Sequence, residues 1–306
     1  MKRWAKYVSI GLLTLIAVAG GAFYWLFFDN RIPSSGSYVF DIAAVRAAAS
    51  AMPGERAQLV EVETVSHSSV PRIAMVAGTD WVKIDIPRNV YRLVFPDRTM
   101  IIDTAWDANT ARAAKVDRFD TAAYDRVATA MNAASMIIVT HEHPDHIGGL
   151  LSSPNWQALL PKALITSEQF NHPKYTRPLE WPAGSRESFK PLDYTGYRAV
   201  APGVVLIKAP GHTPGSQIIY VQRADGQEYL FVGDVASQAD NIKLQRGRSR
   251  LVDDFMVGSD HGAVLLQLVA LHRLSLNEPR IAMVPGHDGA AIARFEAQNL
   301  MRRGFQ

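Results

Sequence analysis

The chain has 306 residues, 48% of them apolar, enough to bury one large core, and a soluble part of about 250 residues fits one domain better than two. A net charge of only +3, with no run of Lys or Arg, argues against nucleic-acid binding. The absence of cysteine excludes structural disulfides, a lipidated cysteine and thiolate metal ligands.

In chain order, Lys2, Arg3 and Lys6 precede Tyr7–Phe28, 22 residues without a charge. A helix needs about 20 apolar residues to cross the hydrocarbon core. The cationic flank keeps the N-terminus cytoplasmic, with Trp4, Tyr7, Tyr24 and Trp25 near the interfaces. Residues 1–28 are therefore expected to be a signal anchor in the inner (cytoplasmic) membrane, single-pass, with the remaining chain facing the periplasm or outside. A rival reading is a cleaved signal peptide with Ala17-Val18-Ala19 as its cleavage site. Against it, Gly20 to Phe28 stays apolar. Residues 29–56 read as a linker and N-terminal extension. Asp29 to Ser37 is a flexible tether, and Ile42 to Met52 is an Ala-rich helix stopped by Pro53-Gly54.

Residues 57–306 read as the folded domain. Leu59 to Val65 alternates like a half-buried strand. Tyr91–Phe95 and Met100–Ile102 flank a hairpin turn at Pro96-Asp97-Arg98, and the second run ends at Asp103. Phe119 to Ala134 reads as a helix capped by Asp120, with Tyr124, Val127 and Met131 on one face. The apolar run Met136-Ile137-Ile138-Val139 then leads into Thr140-His141-Glu142-His143-Pro144-Asp145-His146. In such a strand-exit loop His141 and His143 can point one way while Asp145 and His146 reach a second position. Imidazole and carboxylate are ligands that suit zinc, and two adjacent positions suit a two-metal hydrolytic centre.

Sixty-five residues separate His146 from His212. Within them Gln169 to Tyr197 is rich in Pro, polar and aromatic residues and could form a lid or pocket wall, although any single aromatic there is better read as packing. Three further strand ends carry ligand-type residues. Val204–Ile207 precedes Pro210-Gly211-His212-Thr213-Pro214-Gly215-Ser216. Tyr229–Val232 precedes Gly233-Asp234. Ile281–Val284 precedes Pro285-Gly286-His287-Asp288. Singly each is an ordinary turn; four such strand ends in one chain make coincidence improbable. Arg246, Arg248 and Arg250 form a short basic patch that reads as a solvated loop rather than a phosphate-binding surface. His261 could reach substrate but reads better as a loop residue, and His272 falls inside a helix, Gly262–Leu276, as a structural residue.

The ordered set HxHxDH, GHTPGS, GD and GH resembles the metallo-β-lactamase superfamily of binuclear zinc hydrolases over roughly residues 57–290. The resemblance implies a four-layer αββα sandwich of the α/β class, with the active site at one edge. It implies that His141, His143 and His212 hold one zinc ion and that Asp145, His146 and His287 hold the other. Asp234 would bridge both, and Asp103 would brace the metal loop without binding metal.

A hydroxide shared by the two ions would attack a carbonyl, with Asp145 orienting it. The lead substrate is a lactone or related carboxylic ester, because lactonases of this superfamily use the full ligand set. True metallo-β-lactamases generally lack the bridging aspartate, so β-lactams rank lower. Glyoxalase II-like thioester hydrolysis is the alternative, but its appended helical domain has no counterpart in the 19 residues after His287. Phosphodiester hydrolysis stays open. Many acyl-homoserine lactonases carry tyrosine three residues after the bridging aspartate, and here that position is Ser237. Flavodiiron proteins share the fold but place glutamate where this chain has His143. The non-enzyme alternative is a metal-binding scaffold with no turnover. Expected partners are a small-molecule substrate and the lipid bilayer, through residues 7–28.

Overall fold

The computed structural model describes residues 2–305; the side chains of Lys2 and Arg3, two of the cations expected to flank the apolar span, lie outside the described residues. Among these residues twelve strands form two sheets. The first joins β1 (Leu59–Pro71), β2 (Lys83–Val94), β3 (Thr99–Ile102), β4 (Arg118–Phe119), β5 (Met136–Ile138), β6 (Ala163–Leu164) and β12 (Arg302–Arg303), in the order β12-β1-β2-β3-β5-β6 with β4 also on β1. The second runs β11-β10-β9-β8-β7 and comprises β7 (Tyr197–Ala201), β8 (Val204–Lys208), β9 (Gln217–Gln222), β10 (Glu228–Gly233) and β11 (Ala282–Pro285).

Strand alternation builds the layers. Val60, Val62, Leu93, Ile102 and Ile138 of the first sheet meet Leu206, Ile219, Phe231 and Val284 of the second in the central core. Their neighbours point outward. Ile101, Ile137 and Val90 pack against helices Thr121–Ala133 and Pro144–Leu151 through Val127, Met131, Ile147 and Leu150. Val205, Ile218, Leu230 and Val232 pack against helices Ile42–Ala51 and His261–Asn277 through Val45, Ala49, Leu265 and Leu268. The result is helix, sheet, sheet, helix, the expected four layers.

The expected helices form with small shifts in boundary. Asp41, Asp120 and Asp260 each cap one by accepting a backbone N–H three residues on. The hairpin at 96–98 also forms, closed by Phe95 N donating to Arg98 O at 2.9 Å. Two expectations change. Helix Ile42–Ala51, read as an extension preceding the domain, buries Val45 and Ala49 in the outer layer, so packing begins before residue 57. The segment read as a free tether is held at its start. Asp29 is buried and accepts from Arg31 and Arg250, and Asn30 bonds Gln245 O and Gly247 N.

Candidate metal centre

Parallel pairing of β3 with β5 and of β10 with β11, and the two antiparallel steps from β8 to β10, point these strand ends to one edge. All four motifs exit there. His143 caps helix Pro144–Leu151, which puts Asp145 in its first turn and His146 one residue further. Gly286 lets the last motif close on the third. Its N–H donates to Gly233 O and Ala236 O, and a Cβ there would fall 2.2 Å from Asp234 Oδ1.

The expected donors converge in two groups, His141–His143–His212–Asp234 and Asp145–His146–His287, with the donor atoms of each within 4.8 Å of one another. In the first, His143 Nδ1 lies 3.0 Å from His141 Nε2 and 2.9 Å from His212 Nε2. In the second, His146 Nε2 and His287 Nε2 are 3.4 Å apart. Zinc–nitrogen bonds of about 2.0–2.1 Å at tetrahedral angles put nitrogens ~3.3 Å apart. Asp234 faces both groups: Oδ2 is 3.4 Å from His212 Nε2, and Oδ1 is 3.1 Å from His287 Nε2.

The surrounding hydrogen bonds decide which ring nitrogens face inward. His287 Nδ1 donates to Pro87 O at 2.9 Å, and His146 Nδ1 donates to Asp103 Oδ2 at 2.8 Å. In each ring Nε2 is therefore the nitrogen that faces the carboxylates. Asp234 Oδ1 is buried and receives no hydrogen bond from the described residues. Acceptors facing one another in a buried space fit a divalent cation. His212 is set differently. Arg248 Nη1 donates to its Nδ1 at 2.7 Å, so a neutral ring carries its proton on Nε2; Ser259 Oγ, 3.3 Å away, is the alternative partner that would free Nε2.

Electrostatics separates the groups as well. Burial, with the neighbouring imidazoles and, at His212, Arg248, keeps His141 and His212 neutral. Burial also draws His143 down to about 4. Burial acts the same way on His146, but Asp103, Asp145 and Asp234 outweigh it and lift that ring to about 9. Burial would raise Asp145, yet His146, His287 and Arg88 bring it to about 2. Asp103 stays outside both groups. Its Oδ1 accepts from Thr140 N at 2.7 Å, which ties it to the loop that carries the first motif, and its backbone holds a left-handed φ of 62°.

Several residues here were not legible as site residues. Glu142 is fully buried, accepts from Thr213 Oγ1 and Gly215 N, and ties the first motif to the second. The arginines read as a solvated loop are instead separately engaged. Arg246 bonds Ala77 O, Arg250 bonds Asp29, and buried Arg248 bonds Asp234 Oδ2 at 2.6 Å and also Ser237 Oγ. Small Ser237 thus leaves room for a guanidinium against Asp234. His261 is buried against Asp253 at 2.7 Å, and His272 bonds Ile242 O as a structural residue. In the expected lid region Phe170, Trp181 and Phe189 pack on one another. Tyr175 alone among those aromatics stands beside a donor, 5.8 Å from the His143 ring.

A cavity of about 300 Å³ opens over the donors, lined by apolar Val70, Met75 and Ile86 and by Arg88 and Arg248.

The chain matches the metallo-beta-lactamase superfamily over residues 84–287 and belongs to it. Among solved structures, it is similar to an N-acyl homoserine lactone hydrolase with the product N-hexanoyl-L-homoserine bound at the catalytic metal center. The TM-score is 0.60 at 17% identity, covering 81% of this chain and 98% of that one. It is similar to AidC, a dizinc quorum-quenching lactonase, with TM-score 0.54 at 13% identity, covering 79% of this chain and 92% of that one. A probable metal-dependent hydrolase from Staphylococcus aureus aligns with TM-score 0.58 at 12% identity over 76% of this chain and 91% of that one. At these identities the likeness is one of fold. No curated protein matches the sequence.

Proposed function

We propose that this protein is a binuclear zinc hydrolase acting on a lactone or related carboxylic ester. The observation that carries the reading is Asp234, whose two oxygens each face one donor group. His141, His143 and His212 would hold one ion, Asp145, His146 and His287 the other, and Asp234 both. Bound there, the ions would supply Lewis acidity and lower the pKa of water.

The chain's own residues do the rest. Asp145, with Arg88 Nε 3.3 Å from its Oδ2, positions the attacking water, takes the proton that water gives up on attack, and returns it to the leaving alcohol. Asp103 and Pro87 O hold the His146 and His287 rings in orientation. The cavity's apolar wall excludes water from the acyl side, and Arg88 and Arg248 favour a substrate whose charge grows negative. Lactones lead over thioesters and phosphodiesters because structural neighbours bear lactonase names. A panel of lactones, thioesters, phosphodiesters and β-lactams on zinc-loaded protein tests this. Lactone turnover that tracks zinc content is expected. Turnover confined to another class would reassign the substrate, and binding of zinc without any turnover would favour the scaffold.

We also infer that the first helix, α1 (Lys2–Phe28), anchors the chain in the cytoplasmic membrane with the domain outside. Trp4–Phe28 is long and apolar enough to span, and none of its most apolar stretch is buried by the domain. A signal sequence passes the same test of length and composition. The contacts of Phe23 and Phe27 with Trp81 favour a retained helix. Protease added to spheroplasts should remove the domain while α1 stays with the membranes. Protection would place the domain in the cytoplasm, and release of a shortened soluble chain would indicate cleavage.

A further inference from the structure

The segment Arg250–Val257 has two neighbours at once. Toward the domain, Val252, Met256 and Val257 line the cavity over the metal donors. Toward the N-terminus, Phe255 meets Trp25 edge-on at 6.2 Å, while Arg250 stacks 5.6 Å over Trp25 and bonds Asp29 at 2.8 Å. On the other side of the helix end, Phe23 and Phe27 pack on Trp81. The end of α1 is therefore fixed beside the mouth of the site.

The residues around this junction are apolar and exposed. Trp81 is 53% exposed, Val82 66%, Phe255 66% and Met256 73%. Large apolar side chains grouped on a surface mark an interaction site. The occupant is indicated by continuity: the patch surrounds the point where an apolar helix of membrane-spanning length leaves the domain. Tryptophans at that level match an interfacial belt, and exposed Lys83 next to Val82 can reach lipid phosphate while its stem lies along the apolar surface.

We propose that Trp81, Val82, Phe255 and Met256 sit in the bilayer interface, so that the metal site draws its substrate from the membrane. That substrate is an ester whose acyl chain stays in lipid while its carbonyl reaches the donors past Val252 and Met256. The proposal rests on the reading of α1 as an anchor.

The chain has no cysteine, so single cysteines can be spin-labelled on the full-length protein in lipid nanodiscs. Leu15→Cys reports the anchor, Phe255→Cys the rim, and Ala224→Cys the β9–β10 turn at the opposite sheet edge. Labels at 15 and 255 should be relaxed by oxygen and shielded from an aqueous nickel complex, and the label at 224 should show the reverse. A water-exposed label at 255 with a lipid-buried label at 15 overturns the rim proposal and leaves the anchor standing. Water exposure at 15 overturns the anchor and the proposal together. As a second readout, Phe255→Asp should lower kcat/KM about tenfold on a long-chain ester embedded in vesicles, the loss expected for one withdrawn Phe side chain. The same variant should leave a short, water-soluble ester unaffected. Equal loss on both esters, or on neither, overturns delivery from the membrane.

Discussion

The two donor groups share one aspartate but are prepared differently. In the group of Asp145, His146 and His287, the protein has already chosen the ring nitrogens: Asp103 and Pro87 O accept hydrogen bonds from the two Nδ1–H groups, and both Nε2 atoms face carboxylate. In the group of His141, His143 and His212 the rings are neutral and crowd one another, and Arg248 holds His212 in the opposite tautomer. The second group thus has its rings oriented by fixed hydrogen bonds, and an arriving cation takes the place of the proton that Asp103, Asp145 and Asp234 favour on His146. The first needs Arg248 to release His212, with Ser259 Oγ accepting a hydrogen bond from Nδ1–H. Hydrogen bonds one layer out decide how each ring is turned before any ion arrives.

The largest test of this contrast removes what both groups share. Asp234→Ala should cut turnover by about 10³-fold, the upper range for losing one electrostatic group in an active site. Metal analysis should find no more than one zinc per chain. The sandwich should still unfold cooperatively, because its core lies between and outside the sheets. Two retained zinc ions with full turnover would make Asp234 a turn residue.

Gly286→Ala should come next. The added Cβ would meet Asp234 Oδ1 at 2.2 Å and backbone of Gly233 at 3.1 Å, so the carboxylate must shift. About 10- to 100-fold loss of metal affinity is expected at both positions, as for other changes that misplace a ligand. Equilibrium dialysis that shows loss at one position alone would separate the groups more sharply than Asp234 does now.

Asp103→Asn tests the prepared group by itself. It weakens the hold on Thr140 N and on His146 while leaving the His141 cluster unaltered in composition. The ion at Asp145, His146 and His287 should bind ~10-fold more weakly, and the other should change less. Equal weakening of both would show that Asp103 acts through the whole loop.

The smallest effect runs the other way. Arg248→Met removes a cation from beside Asp234 and frees His212 Nδ1 for Ser259. The first ion should bind about tenfold more tightly. The metal-free protein should lose stability, by ~3–5 kcal/mol if the buried carboxylate stays charged without its partner. Thermal unfolding with and without zinc would check both. Weaker zinc binding would mean that Arg248 supports the loaded site by holding Asp234 in place.

The sequence by itself pointed to the candidate donors, because metal chemistry restricts ligand types and ligand-type residues stand at four strand ends; their division between two ions came from the family resemblance. The layer pattern came with the family resemblance; which of Ile101 and Ile102, or of Ile137 and Ile138, faces the other sheet was settled by the fold, since both members of each pair are apolar. Only the tertiary structure decided what stands behind the donors. Arg248 lies 14 residues from Asp234 and 36 from His212 along the chain, and nothing in Arg246-Gly247-Arg248 separates a solvated loop from a buried guanidinium. Glu142 is likewise masked by the histidines around it; its partners Thr213 and Gly215 come from the loop between β8 and β9 of the other sheet. The tether at Asp29 follows the same rule. A Pro- and Ser-rich stretch specifies no local structure, so whether it is pinned depends on an arginine 221 residues away. Ligand identity is written in side-chain chemistry. Tautomer, ion pairing and the neighbours of a helix end depend on distant chain segments that meet only when the sandwich closes.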